Sequence, residues 1–371
     1  VAESSRLVDL VQSRIDDFLH LREPIVTTIS PELAPFVDFS RQFLRGGKRF
    51  RALFCYWGWH SVRADDLLNA DENGDRRFLD PVVSAAAALE LFHAAALVHD
   101  DIIDNSDTRR GAASAHKLFE GLHRQSGWEQ GAADFGRDAA ILLGDLMLGW
   151  SDELLDEGLV ALGDANLALA TRAVFNRMRT EVTAGQYLDI LGERAWRTKP
   201  ETELEDSALR VIVYKSAKYS VQAPLGIGAT LAGGTPAQRE ALRAYGLPLG
   251  IAYQLRDDLL GVFGDAEVTG KPSGDDLREG KRTVLVARAR TAMSGGARRI
   301  FDELLGDPGL EEDQIRTLQR TILGSGAVES VEALISEQVG GALDALTNAP
   351  ITPVAKSQLT ALAKSVAHRV F

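Results

Sequence analysis

The chain holds one cysteine, Cys55, in 371 residues. That excludes an intrachain disulfide and fits a reducing compartment. Cys55 stands among Phe54, Tyr56 and Trp57 and reads as a small buried apolar residue. Basic residues are outnumbered by acids, 41 to 53, and the net charge of −12 excludes general attraction to nucleic acid or to an anionic membrane. Any anionic ligand must therefore meet a local basic cluster or a metal ion. Clean apolar runs are also missing: "SAAAALELFHAAALVH" (84–99) is broken by Glu90 and His93, so no integral membrane segment is expected. The opening "VAESSRLVDL" shows no basic segment leading into an apolar core, so no signal peptide is expected either. Together these absences predict a cytoplasmic protein.

Alternating β-branched runs are scarce, which speaks against a sheet-built architecture. Ala and Leu dominate instead, and apolar residues recur at three- and four-residue spacing in segments such as "LVDLVQSRIDDFL". "SPEL" (30–33), "TPAQ" (235–238) and "TPVA" (352–355) each put Ser or Thr at a helix N-cap and Pro in the first turn. Gln238 can close a capping box with Thr235, and "AGG" (232–234) ends the helix before it. Loops are expected at 69–81, 120–136, 193–202, 263–282 and 293–298. No repeat or low-complexity linker divides the chain. The expectation is one all-α domain, 1–371, of long helices, with 45% hydrophobic residues to fill its core.

The informative stretch is "LVHDDIIDNSDTRRG" (97–111). On a helix Asp100 and Asp104 are one turn apart on one face with Asp101 beside them, and each carboxylate raises the cost of ionising the others. A cation relieves that cost, and Mg²⁺ suits the group because it takes one or two carboxylates and keeps positions for water and phosphate oxygens. A lone cluster of this kind is more often a solvated acidic face. Here a second follows: "YQLRDDLLGVFGD" (253–265) ends an apolar helical segment with Asp257 and Asp258, with Gln254 one turn earlier. Carboxylates at helix C-terminal ends oppose the helix dipole, so a purely stabilising role is hard to defend. Basic residues complete the pattern: "RGGKRFR" (45–51) gathers Arg45, Lys48, Arg49 and Arg51 around two glycines, Arg109 and Arg110 follow the first acids, and Lys271 and Lys281 follow the second.

Six segments in order, "GGKRFR", "HDDIIDNSDTRRG", "GQYLDI", "YKSA", "YQLRDD" and "GKPSGDD", make the chain resemble the trans-type isoprenyl diphosphate synthases, or polyprenyl synthetases. The resemblance spans nearly the whole chain. It implies an all-helical fold around a deep cavity, a homodimer, and condensation of isopentenyl diphosphate with an allylic diphosphate, with Mg²⁺, three ions when substrate is bound, as Lewis acids for the departing diphosphate. By matching positions it implies metal ligation by Asp100, Asp101, Asp104, Asp257 and Asp258. Arg109, Lys215, Lys271 and Lys281 would contact the allylic diphosphate. Lys48, Arg51, His93 and Arg110 would form the isopentenyl diphosphate pocket, with Gly47 giving backbone access. Gln186, Asp189, Ser216 and Gln254 match polar positions near the reacting atoms, where fixed dipoles stabilise developing charge.

The sequence departs from the pattern at three places. Gly261 stands where the second motif usually has a third Asp, with Asp265 or Asp275 as candidates to compensate; Ala113 replaces a frequent Pro; and Ser216 replaces a frequent Thr but keeps the hydroxyl. The product's tail should run back along the helix of the first motif. Ala95 and Ala96 leave the first level open, and Phe92, with Leu89 one turn beyond, forms the next. A helical turn rises about 5.4 Å, comparable to one isoprene unit, so the expected product is geranylgeranyl diphosphate, C20. Leu142, Leu143 and Met147 on a neighbouring helix are candidates to reset that depth. A farnesyl or longer-chain synthase, and a non-catalytic subunit of a heteromeric synthase, are the alternatives. A class I terpene cyclase is disfavoured because "DDLLGVFGD" lacks the Ser/Thr and Glu of the usual cyclase metal motif.

Overall fold

The computed structural model describes residues 2–63, 79–264, 273–307 and 309–367. They are helical almost throughout, with one antiparallel pair of two-residue strands. They form two compact units, Val1–Arg172 with Ile227–Gly234, and Ala173–Gly226 with Thr235–Phe371.

In the first unit, helices α1 (Ala2–Ile29), α2 (Ala34–Phe43), α3 (Phe50–His60), α4 (Leu79–Ile103), α5 (Ala115–Gln125) and α6 (Ala132–Ala161) surround a core centred on α4. Apolar on nearly every side, α4 has no face to give to solvent. It packs most extensively on α6 and next on α3 and α1. It is long and apolar enough to cross a membrane, yet 83% of its most apolar stretch is buried inside the protein, as a core helix requires. Trp57, Trp59, Tyr56 and Phe54 of α3 fill the space beside it. Arg14 and Arg22 of α1 reach Glu157 and Glu153 of α6 at 2.5–2.8 Å.

The second unit is built around α10 (Pro236–Phe263), which packs on α15 (Ala327–Thr347), on a π-helical segment (Ile212–Gln222) and on α16 (Pro353–Ala367). Around these lie the later turns of α7 (Ala165–Ala195), α8 (Leu204–Val211), the start of α9 (Ala223–Leu231), α11 (Asp275–Glu279), α12 (Val284–Ala292), α13 (Gly295–Leu304) and α14 (Glu312–Gly324). Arg256 of α10 grips Glu332 of α15 through both carboxylate oxygens, and the Tyr245 hydroxyl donates to the Leu359 carbonyl at 2.8 Å.

Most local signals hold. Thr235 and Gln238 form the capping box, and Gly233 turns left-handed (φ +77°) after α9. Ser30 makes no N-cap bond; its hydroxyl turns to Glu32 and Pro31 opens only a short 3₁₀ turn. The expected loop at 120–136 shrinks to 126–131. Its Gly136 is a helical contact: a Cβ there would come within 2.3 Å of the His116 carbonyl, so the missing side chain lets α6 lie on α5. Likewise α4 begins at Leu79, α7 runs to Ala195, α11 occupies 275–279, and α13 starts at Gly295. Residues 69–78 of the first expected loop lie outside the described ones.

Candidate active site

In the first unit the acid motif ends α4. Asp100 and Asp101 lie in its last turn, and Asp104 follows with its N–H on the Asp100 carbonyl at 2.8 Å. Asn105 (φ +52°) closes the helix in the left-handed conformation that stops helices. A hairpin then returns the chain: Thr108–Arg109 pairs with Ala112–Ala113, and the two turn residues, Arg110 (φ +52°) and Gly111 (φ +75°), take the positive φ a two-residue hairpin demands. Ala113 thus enters a ladder with Thr108.

That hairpin aims Arg109 at the acids. Its Nε donates to Asp101 Oδ1 at 2.8 Å, its Nη2 donates to the same oxygen, and Asp100 Oδ2 is 3.6 Å away. Asp101 is fully buried. Burial works to lower the Arg109 guanidinium, but the hydrogen bond and charge of Asp101, then Asp100 and Asp104, hold it above its ordinary value. Among the described residues no three acid, His or Cys side chains converge as a ready-made metal cage. The donor set still fits Mg²⁺, which needs only one or two carboxylates from the protein.

The "RGGKRFR" loop sits against the same hairpin. Gly46 (φ +70°), Gly47 (φ +83°) and Arg49 (φ +46°) are all left-handed, and a Cβ on Gly47 would be 3.3 Å from Arg110 Nη1. Lys48 is exposed there, and Arg51 lies in the first turn of α3. His93 of α4 is held neutral, pushed well below its ordinary value by burial and then by Arg51, Arg110, Arg109 and Arg49. Burial and the neighbouring Arg49, Arg109 and Arg51 lower Arg110 too, against the pull of Glu90. The structure therefore brings Gly47 beside Arg110, and Arg51 and Arg110 into electrostatic reach of His93, as one basic cluster. Further back on α4, Leu89 and Ala95 are fully buried and Phe92 is nearly so; Ala96 is partly exposed. On α6, Leu143 and Met147 are buried, but Leu142 is 59% exposed and faces away from that core.

In the second unit Asp257 and Asp258 lie in the last two turns of α10. Asp258 is 7% exposed, and burial pushes its carboxyl up to about 8; Gln254, donating to Oδ1 at 2.8 Å, pulls it back, Asp276 and Asp257 push further, and Lys281 opposes. Gly261 has a concrete reason: a Cβ there would be 2.0 Å from Asp276 Oδ2. Asp276, in α11, fills the space the usual third aspartate would need. Asp275 does not, and Asp265 lies outside the described residues. Lys281 reaches Asp276 at 3.2 Å and Glu279 at 2.7 Å.

Lys215 and Ser216 ride on the π-helical segment, and Lys215 Nζ donates to Asp189 Oδ2 at 2.5 Å. Gln186 lies one turn before Asp189 on α7. Glycines on both flanking helices admit this wider helix: a Cβ on Gly185 would be 2.4 Å from the Lys215 nitrogen, and one on Gly250 would be 2.6 Å from Ala217. Such π segments recur at functional sites. Lys271 lies outside the described residues. Sequence reasoning missed Asp276, one of three nearby acids that only the fold distinguishes, and Glu90, whose signal was a lone acid inside an apolar helix.

Known proteins share this chain's sequence pattern and fold. The Polyprenyl synthetase family matches residues 36–322. The chain is 30% identical to a geranylfarnesyl diphosphate synthase of Aeropyrum pernix over 85% of this chain and 87% of that one. It is 29% identical to a short chain isoprenyl diphosphate synthase of Methanocaldococcus jannaschii, over 79% and 80%. A solved structure of geranylgeranyl pyrophosphate synthase from Corynebacterium glutamicum, complexed with isoprenyl diphosphate and magnesium, superposes with a TM-score of 0.90 at 37% identity, covering 99% of both chains. The chain belongs to the polyprenyl synthetase family. It is an enzyme, a trans-prenyl diphosphate synthase.

Proposed function

We propose that this enzyme extends allylic diphosphates with isopentenyl diphosphate to geranylgeranyl diphosphate, C20. The observation that carries the residue assignment is Arg109, folded by its hairpin onto Asp101 and Asp100: a cation of the chain already balances the acids that a metal would share. Asp100, Asp101, Asp104, Asp257 and Asp258 are the residues that would hold Mg²⁺, three ions with substrate bound, and the metal would supply Lewis-acid stabilisation of the leaving diphosphate. The Corynebacterium complex with magnesium supports that choice of ion.

Arg109, Lys215, Lys271 and Lys281 neutralise the allylic diphosphate as its carbon–oxygen bond breaks. Lys215 is steadied by Asp189, and Lys281 by Asp276 and Glu279, until the substrate's phosphates compete for them. Lys48, Arg51, Arg110 and the Gly47 backbone take the diphosphate of isopentenyl diphosphate, and neutral His93 adds a hydrogen bond without adding charge. Its double bond then attacks the allylic cation, and a proton leaves to regenerate an alkene. Gln186, Gln254 and the Ser216 hydroxyl line the reacting carbons with fixed dipoles.

Buried Phe92 and Leu89 form the floor for the growing tail below Ala95 and Ala96. We read the chain as one cytoplasmic polyprenyl synthetase domain, 1–371, since the family match runs through both units. We read it also as a homodimer, to which exposed Ile141 and Leu142 of α6 lend apolar surface. Product mass after incubation with Mg²⁺, isopentenyl diphosphate and C5, C10 or C15 primers tests the proposal. C20 should dominate, and Phe92→Ala should lengthen it; a C15 or C25 product from the wild type refutes the assigned floor, and no product refutes the reaction.

A further inference from the structure

Glu90 is a carboxylate inside the core helix, and the mechanism leaves it without work. Its side chain is 7% exposed and lies on α4 three residues before His93. One oxygen, Oε1, accepts the backbone N–H of Ala52 at 3.1 Å; the other, Oε2, lies 3.4 Å from Arg49 Nη1. Ala52 is the third residue of α3, where an N-terminal N–H has no partner within its own helix. Arg49 is the N-cap of that helix, and its side chain makes no capping bond. Glu90 therefore caps α3 from another helix.

Arg49 explains why the cap is needed. It is held at φ +46°, ψ +44°, a left-handed conformation that crowds the Cβ of a side-chain-bearing residue against the following carbonyl. Such strain persists only where neighbours over-determine it. Here the guanidinium, 4% exposed, donates to the Leu44 carbonyl on one side of the loop and to Gln12 of α1, besides pairing with Glu90. Ala52 and Arg49 are thus tied to the fixed helices α4 and α1, and Arg49 ties back to Leu44 at the start of the segment 44–52. Between those ends lie Gly47, Lys48 and Arg51.

Building on the function proposed above, we infer that Glu90 and Arg49 are positioning residues: they fix the left-handed loop so that Lys48, Arg51 and the Gly47 backbone meet the diphosphate of isopentenyl diphosphate beside His93. Neither touches substrate. Their effect should fall on one substrate alone.

The test is steady-state kinetics with both substrates varied, together with calorimetric titration of isopentenyl diphosphate into the wild type, Glu90→Gln and Arg49→Lys. Glu90→Gln keeps an acceptor for Ala52 and loses the charge; Arg49→Lys keeps the charge and loses the fork. Each should raise KM and Kd for isopentenyl diphosphate about 10- to 30-fold, while KM for the allylic primer stays within about twofold and kcat within about threefold. Should Glu90→Gln fail to fold, Arg49→Lys carries the same expectation. Equal changes in both KM values, or a lowered unfolding midpoint with both KM values unchanged, would reduce the pair to structural support and overturn the inference. Absence of isopentenyl diphosphate binding in the wild type would instead overturn the function on which it rests.

Discussion

The two acid motifs end long helices, yet they keep their charge in different ways. At the end of α4 fully buried Asp101 is held by an arginine that a hairpin returns to it. At the end of α10 buried Asp258 keeps a proton, its carboxyl raised to about 8 by burial with Asp276 and Asp257 adding to it, and Gln254 serves as hydrogen-bond donor. In one motif the buried carboxylate is paired with a cation of the chain; in the other, burial favours a proton from solvent on Asp258. The lesson is that a repeated sequence motif does not fix its resting electrostatics; the next turn of chain does. Arg109 is brought by a two-residue turn that needs Gly111, whereas Asp258 takes its hydrogen bond from Gln254 and Lys281 divides itself between Asp276 and Glu279.

The comparison fails most visibly if the two motifs are unequal in catalysis. Asp100→Ala and Asp257→Ala should each lower kcat/KM for condensation about 10³-fold, since each removes a proposed metal ligand; an active Asp257→Ala would leave the first motif working alone. Removing the neutralising groups should sharpen the contrast. Arg109→Gln strands a buried carboxylate and should cost about 3 kcal/mol of stability in urea unfolding without metal. Asp258→Asn copies a carboxyl already protonated and should shift stability by no more than about 1 kcal/mol.

The pH dependence follows from the same difference. A folded value near 8 against an ordinary 3.8 means Asp258 binds a proton in the native state that the unfolded chain releases. Its contribution is full below about 3.8 and is lost as pH rises through about 8. Between pH 5 and pH 8 the metal-free wild type should therefore lose more stability than Asp258→Asn, as urea midpoints would report. The effect expected at Gly261 falls on metal use instead of stability. Gly261→Ala pushes Asp276 from its place and should raise the Mg²⁺ concentration for half-maximal activity about tenfold. The double variant Gly261→Asp with Asp276→Gly, which carries the carboxylate on α10 instead, should recover most of that loss.

Much of this was legible before any coordinates. Helical spacing, the Thr235 capping box and the six segments in order predicted an all-α synthase, because each is a local property of the chain. What stayed hidden depends on elements far apart in sequence. The π-helical segment has no pattern of its own; it is admitted by Gly185 and Gly250 on two other helices. Asp276 could not be chosen over Asp265 or Asp275 by spacing, since only the return of α11 over Gly261 selects it. Gly136 looked like punctuation and proved to be a helix contact. Glu90 looked like a flaw in an apolar run, although a buried charge always asks for a partner.

The most direct test of the contrast is carboxyl ¹³C NMR of the metal-free protein labelled at aspartate, with Asp258→Asn to assign the signal. The account predicts one aspartate carboxyl titrating near pH 8, absent from the variant, which moves to its ionised position at pH 7 when Mg²⁺ and diphosphate are added. If that carboxyl is already ionised at pH 6 without metal, the proton at the second motif does not exist and the contrast with Arg109 falls.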